Sequence, residues 1–171
     1  MARLERTMFR EYDIRGRESA EELNVSSMEL IGKGYGTFLR KRGVKQVVVG
    51  HDNRSTSEEF CRAAIEGLLE TGCEVIYIGT ITTPMLYWAQ YYFKAEGGLV
   101  VTASHNPAGW NGVKLALGYS YTIIGKELEE IYDQISREDF QKGLGKIIKK
   151  EDISAAYRKD LLSRVKGIKP F

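Results

Sequence analysis

A strand, a helix and a second strand can be recognised in residues 46–79, which read QVVVGHDNRSTSEEFCRAAIEGLLETGCEVIYIG. The two ends, QVVVG and EVIYIG, are short β-branched runs, which are typical of strands covered on both faces. Between them, apolar residues recur at spacings of three and four from 60 to 71, which predicts an amphipathic helix. Thr56 and Glu59 have the spacing of a capping box at the start of that helix. This segment therefore predicts one βαβ unit of a parallel sheet.

Strands and helices continue to alternate outside this unit. Helices are predicted over 26–42, from Pro84 onwards, over 126–135 and over 152–165, and further strands over 98–104 and 113–122. Asn111-Gly112 is interpreted as a turn before the last strand, which is expected to join the sheet in the antiparallel direction. The predicted fold class is α/β, with three α/β/α layers around a mixed, largely parallel sheet and right-handed crossovers.

The glycines at 143 and 145 indicate where the main domain ends, so the predicted domains are 1–145 and 146–171. The second segment is interpreted as a linking helix that leads towards a further, absent domain. Its apolar stripe must pack against another surface. The stripe consists of Ile153, Tyr157, Leu161 and Val165.

Composition excludes several classes of protein. Of the 171 residues, 43% are hydrophobic and 28% are charged, which is typical of a folded, water-soluble chain. No window approaches eighteen consecutive apolar residues and the N-terminus lacks the apolar core of a signal peptide, so we expect a cytoplasmic protein without a membrane partner. The basic residues after 136 are not interleaved with aromatic ones, so no nucleic-acid partner is expected. Cys61 and Cys73 lack metal-site spacing and are predicted to be reduced, buried thiols.

Residues 102–114, TASHNPAGWNGVK, carry the most informative motif. They follow a predicted strand directly, which is where an α/β sheet presents ligand-binding loops. Ser104 lies at the apex of this loop, and a serine alone is a poor nucleophile. His105 as its base is disfavoured, because adjacent residues on an extended segment point to opposite sides and the GxSxG elbow is absent.

A serine that carries a phosphoryl group fits this loop better. Phosphoserine adds negative charge and three acceptor oxygens, so its loop needs N–H donors, polar neighbours and cations. His105, Asn106 and Lys114 supply such groups within the loop. Phosphoryl transfer depends mainly on positioning and charge stabilisation, which makes nearby fixed cations important. The candidate cations are Arg10, Arg15 and Arg54.

Three motifs together resemble those of the α-D-phosphohexomutases, the phosphoglucomutase and phosphomannomutase family. They are FREYDIRG at 9–16, VVVGHDNRSTS at 47–57 and TASHNP at 102–107. The likeness runs from residue 9 to about 136 and corresponds to the family's first domain. It implies that Ser104 is phosphorylated and that the enzyme interconverts hexose 1-phosphate and hexose 6-phosphate, of glucose or mannose, through a bisphosphorylated sugar. Glucose 1,6-bisphosphate is the implied activator.

The same resemblance suggests roles for individual residues. Lys114 and Arg15 match the candidate acid and base groups, although an arginine hardly deprotonates and is expected chiefly to orient and neutralise. The implied phosphate- and substrate-binding residues are His105, Asn106, Tyr12 and Arg10. Asp52 and Arg54 are interpreted as a pair that braces the serine loop. His105 is left open between a phosphate contact and a hydrogen-bonding loop residue.

Family members hold one Mg²⁺ through the phosphoserine and three aspartates of a DxDxDR loop. That loop and the GExSG sugar-recognition loop are absent from this sequence, so Ser104, through its phosphate, is the implied metal ligand here. We therefore expect a fragment that is inactive without the remaining domains and that self-associates through the surface left for them. The alternative is a stand-alone sugar-phosphate-binding or domain-association module without turnover.

Two aromatic features have different interpretations. Five aromatic residues between 87 and 93 are predicted to form core and domain contacts, because their helical spacing favours this over a sugar-stacking platform. Trp110 lies between Ser104 and Lys114 and is left open between a contact to substrate and a contact to another domain.

Overall fold

Seven strands form one mixed sheet in the computed structural model, which describes residues 4–165 and 167. The strands are β1 (Ile14–Arg17), β2 (Gln46–His51), β3 (Glu74–Thr80), β4 (Gly97–Val101), β5 (Trp110–Leu117), β6 (Tyr121–Thr122) and β7 (Lys146–Lys150). Their order is β1-β5-β4-β2-β3-β7, and β6 pairs with β5. Strands β4, β2, β3 and β7 are parallel, whereas β5 runs antiparallel to β4 and β1.

Helices cover both faces of the sheet, which confirms the predicted three-layer α/β/α fold. They are α1 (Val25–Lys41), α2 (Ser57–Glu70), α3 (Thr83–Phe93), α4 (Lys126–Ser136) and α5 (Ser154–Arg164). Val47 and Val49 of β2 pack into the core beneath α1, α2 and α4, while Val48 packs into the second core beneath α3. Because successive residues of a strand point to opposite faces, a strand buried on both sides is apolar throughout.

The chain crosses the sheet in opposite directions after β3. The connection through α2 leads from β2 to β3 on one side, and the connection through α3 returns past β2 to β4 on the other. In open α/β sheets, such a reversal leaves a crevice at the carboxyl ends of the two central strands. The loops after β2 and β4 therefore meet at this crevice.

Helices α1 and α2 touch through two glycines. A Cβ added at Gly32 would overlap the carbonyl oxygen of Ala64, and one added at Gly67 would overlap that of Glu29. We expect Gly67→Ala to lower the free energy of unfolding by about 1–3 kcal/mol, because the helices would have to separate. Urea unfolding of Gly67→Ala beside Glu66→Ala, its exposed neighbour, measures this. Equal midpoints for the two variants would contradict this account of the contact.

Two local predictions were wrong because tertiary contacts override sequence spacing. The capping box of Thr56 and Glu59 does not form: the Thr56 hydroxyl makes no cap hydrogen bond and donates instead to Glu18 at 2.8 Å. Asn111-Gly112 is not a turn but lies inside β5, where Gly112 pairs with Arg15 of β1.

The segment after residue 145 contains a strand that the sequence analysis did not predict. Strand β7 pairs in parallel with β3 at the edge of the sheet, and all five of its residues are exposed. Residues 146–150 therefore continue the same sheet before the predicted helix begins. The domain boundary at 145 stays a prediction, and Lys166 and residues 168–171 lie outside the described residues.

Helix α5 packs on α3 through part of the aromatic group. Trp88 contacts the Tyr157 ring edge to face and its Nε1–H donates to Asp160 at 2.9 Å. Tyr91 and Tyr92 are both exposed, so the core part of the prediction is wrong for them, and the domain-contact part stays a prediction. The buried face of α3 is a different one, formed by Met85, Leu86, Ala89 and Gln90.

Candidate active site

The loop after β4 turns sharply at Ser104. Its φ is +54°, in the left-handed region, and its N–H donates to the Thr102 hydroxyl at 2.9 Å. The Asn106 N–H closes the turn by donating to the Ala103 carbonyl at 3.0 Å. A non-glycine residue in this conformation costs about 1–2 kcal/mol, so contacts around the loop must compensate for it. The result is an exposed serine hydroxyl on a constrained turn.

Ser104 and His105 lie close together, contrary to the prediction. The Ser104 Oγ is 3.3 Å from the His105 Nδ1, because the segment is a turn rather than an extended strand. Within residues 4–165 and 167, His105 has no carboxylate partner that would orient it as the base of a triad. The pair alone therefore lacks the third group of a hydrolase triad.

Arg54 holds the serine loop from the neighbouring strand end. Its guanidinium donates hydrogen bonds to four backbone carbonyl oxygens between 2.5 and 3.3 Å away. These oxygens belong to Ser104, Asn106, Pro107 and Trp110. Because a planar guanidinium presents its donors in a rigid fork, one side chain fixes both sides of the loop.

Asp52 anchors Arg54 and connects it to a buried network. One Asp52 oxygen accepts the Arg54 backbone N–H at 3.1 Å and the Ser57 hydroxyl at 2.6 Å, while the other lies 3.4 Å from the Arg54 Nε. The fully buried Asn111 amide donates to the hydroxyls of Ser57 and Thr56 at 3.0 and 2.9 Å. These contacts tie β5 to the loop after β2.

Arg15 and Lys114 meet at a carboxylate that the sequence analysis did not single out. Arg15 on β1 donates to Asn106 Oδ1 at 2.8 Å and to Asp13 Oδ2 at 2.5 Å. The Lys114 Nζ on β5 lies 3.5 Å from the same Asp13 oxygen. The only sequence signal for Asp13 is its place within FREYDIRG. The structure thus brings three of the predicted residues, Arg15, Asn106 and Lys114, into one cluster.

Tyr12 and Arg10 lie at the tip of the turn that precedes β1. The Arg10 N–H donates to the Asp13 carbonyl at 2.9 Å, and both the Tyr12 and the Arg10 side chains are exposed. The adjacent Glu11 carboxylate raises the pKa of the Tyr12 phenol. The guanidinium carbons of Arg10 and Arg17 each lie 5.6 Å from the centroid of the Trp110 ring. Trp110 therefore contacts two cations of this chain.

An open cleft of about 530 Å³ lies beside Ser104. Asp52, Asn53 and Thr102 line the cleft, together with residues 80–83 between the end of β3 and the start of α3. The cleft lies at the carboxyl ends of β2, β3 and β4, where the topology places a ligand crevice. A polar substrate group in this cleft would lie next to the serine hydroxyl.

The part of the chain that the structure describes has no cluster of metal ligands and no membrane-spanning helix, and its two cysteines are free. There, no three His, Cys, Asp or Glu side chains lie close enough together to hold a metal ion. No helix among residues 4–165 is long and apolar enough to cross a membrane. Cys61 and Cys73 are free and buried, as predicted, and burial raises the pKa of the Cys61 thiol to about 12.

Comparison with known proteins shows which family and which fold the chain resembles. The model of the family "Phosphoglucomutase/phosphomannomutase, alpha/beta/alpha domain I" matches residues 6–142. A phosphoglucomutase/phosphomannomutase of Thermococcus kodakarensis is 39% identical over 92% of the chain and 36% of its own length. A phosphomannomutase/phosphoglucomutase of Pseudomonas aeruginosa is 31% identical over 96% of the chain and 35% of its own length. A crystal structure of a family protein from Burkholderia thailandensis, 28% identical, superposes with a TM-score of 0.88 over 98% of the chain and 38% of its own length. The chain thus spans about a third of each relative.

Proposed function

Because the chain belongs to the phosphoglucomutase/phosphomannomutase family and contains its α/β/α domain I, we propose that it supplies the phosphoserine of a longer phosphohexomutase. The observation that carries this proposal is the constrained turn at Ser104, which Arg54 holds through four carbonyl bonds beside an open cleft. The hydroxyl is exposed on this turn, and the cations of Arg54 and Arg15 bind the same loop. Phosphoryl transfer depends on these properties more than on a strong base.

In the proposed reaction, the phosphoryl group of phospho-Ser104 moves to a free hydroxyl of hexose 1-phosphate or hexose 6-phosphate. The Ser104 O–P bond breaks and a bond from phosphorus to the sugar oxygen forms. The sugar hydroxyl gives its proton to a neighbouring base, and the departing Ser104 oxygen takes up a proton. The bisphosphorylated sugar then returns its other phosphoryl group to Ser104, so phosphate moves between C1 and C6. Glucose 1,6-bisphosphate would load Ser104 at the start.

The surrounding residues have separate proposed roles. Lys114 is proposed to exchange the proton of the reacting hydroxyl, and Arg15 to orient and neutralise the transferring group. His105, Asn106, Tyr12 and Arg10 are proposed to bind phosphate or substrate. Asp52 and Arg54 are proposed to support the loop, in line with the bonds from Arg54 to the loop and from Asp52 to Arg54.

The described residues do not form a complete Mg²⁺ site, because they contain no cluster of three His, Cys, Asp or Glu side chains. The phosphoryl oxygens on Ser104 are the proposed contribution of this chain to the metal, and the other ligands would come from elsewhere in the longer protein. Mg²⁺ suits phosphate oxygens and would neutralise their charge.

The cytoplasmic location and self-association also stay predictions.

An assay of two proteins tests the proposal. The longer protein is expected to interconvert hexose 1-phosphate and hexose 6-phosphate with Mg²⁺ and glucose 1,6-bisphosphate, and the 171-residue chain is expected to show no turnover. An inactive longer protein would contradict the proposed function. Full turnover by the 171-residue chain would contradict the need for further domains.

A further inference from the structure

We infer that Asp13 is a positioning residue for phosphoryl transfer, since one of its carboxylate oxygens holds both Arg15 and Lys114. This inference rests on the proposed function. Asp13 Oδ2 lies 2.5 Å from the Arg15 Nη2 and 3.5 Å from the Lys114 Nζ. Both cations therefore contact the same carboxylate oxygen.

Burial makes this arrangement stronger than an ordinary surface ion pair. The side chains of Asp13, Arg15 and Lys114 are 12%, 8% and 24% exposed. Water and salt screen such groups less than exposed ones, and removing one partner leaves the others uncompensated. One carboxylate faces two cations, so the cluster keeps one net positive charge for an anionic substrate group.

Strand register explains how the sequence places Asp13 there. Ile14 of β1 pairs with Val113 of β5, and the strands are antiparallel. Extending this register by one residue places Asp13 opposite Lys114, at the distance of a cross-strand pair. Arg15 lies two residues further along β1, so its side chain is on the same face as that of Asp13.

The cluster reaches the serine loop through Asn106. Arg15 uses its second terminal nitrogen to donate to Asn106 Oδ1 at 2.8 Å. The Asn106 backbone N–H closes the turn around Ser104, and its carbonyl accepts from Arg54. The direction of the Arg15 guanidinium is thus fixed by Asp13 at one end and by the loop at the other.

Two observations argue against a purely structural role. Among the described residues, the Lys114 ammonium has Asp13 as its only ion-pair partner. The Arg15 Nε is buried and has no hydrogen-bond partner there. Buried donors are normally satisfied, and exceptions call for an explanation such as a functional site.

Asp13→Asn in the longer protein tests the inference. We expect kcat to fall about 10–100-fold with KM changed much less, because a displacement near 1 Å of a positioned group can cost this much. Asp13→Glu keeps the charge but moves it by one methylene, so an intermediate kcat is expected. The control is Asp139→Asn, which removes the 63%-exposed partner of Lys41 and should leave kcat unchanged.

A second measurement does not depend on activity. In the 171-residue chain, the Nε–H NMR signal of Arg15 is expected to be sharp and to broaden in Asp13→Asn, while the backbone amide spectrum stays native. If the wild-type longer protein is active and Asp13→Asn keeps kcat within twofold, the inference is overturned and the proposed function stands. If the wild-type longer protein is inactive, the proposed function fails. Separately, an Arg15 Nε–H signal that is unchanged in Asp13→Asn would overturn the positioning of Arg15 by Asp13. If Asp13→Asn does not fold, folded Asp13→Glu with wild-type kcat overturns the inference.

Discussion

Ser104→Ala is expected to abolish turnover in the longer protein, with kcat lowered by about 10⁴-fold or more, as for other lost nucleophiles. The reason is that the Ser104 Oγ is the atom proposed to form the bond to phosphorus, whereas the nearby Thr102 side chain is buried and its hydroxyl accepts the Ser104 N–H. A coupled assay of hexose phosphate interconversion measures the loss. Ser26→Ala, an exposed serine on α1, is the matched control and should keep wild-type activity. Comparable activity in Ser104→Ala and Ser26→Ala would contradict the phosphoserine assignment.

A glycine variant separates the effect of losing the Ser104 hydroxyl from the effect of backbone strain at this position. Glycine adopts φ near +54° without strain, whereas alanine does not. We therefore expect Ser104→Gly to be more stable than Ser104→Ala by about 1 kcal/mol, although both are inactive. Chemical denaturation of the two variants measures the difference. Identical stabilities would show that the turn does not store the strain described above.

Arg54→Met is expected to lower kcat by about 10²-fold in a protein that remains folded. Its loss would release four carbonyl oxygens of the serine loop and leave Asp52 without its ion-pair partner. Arg54→Lys should lie between the wild type and Arg54→Met, because an ammonium cannot reproduce the guanidinium fork. Steady-state kinetics beside thermal unfolding separate loop positioning from global stability.

The control for this series is Arg62→Met, which removes an exposed arginine from α2 where it pairs with Glu58. Exposed ion pairs of this kind contribute little to the free energy of unfolding, so the kcat of Arg62→Met should match that of the wild type. If Arg54→Met retained the activity of Arg62→Met, the loop would not depend on the Arg54 contacts.

Much of the fold follows from the sequence because its strands carry strong local signals. Within the run QVVVG, three successive valines are buried, a pattern typical of a strand that is covered on both faces. The edge strand β7 carries no such signal: its residues KIIKK are all exposed and mostly charged. Its place in the sheet comes from pairing with β3, which local periodicity does not encode.

The site was predictable where a motif marks it and not where long-range contacts build it. Ser104 and Arg54 both follow apolar strands, and their motifs identified them. Asp13 gains its significance from the register between β1 and β5, which no spacing along the chain reveals. The contact between Ser104 and His105 was missed because a positive φ at a serine has no sequence signature.

The most direct test of the account is to locate the phosphoryl group. The longer protein would be incubated with glucose 1,6-bisphosphate, digested and analysed by tandem mass spectrometry. One phosphoryl group on the peptide that contains residues 102–114, assigned to the Ser104 Oγ and absent from Ser104→Ala, is the predicted result. A phosphoryl group on another residue, with Ser104 unmodified in an active enzyme, would contradict the account.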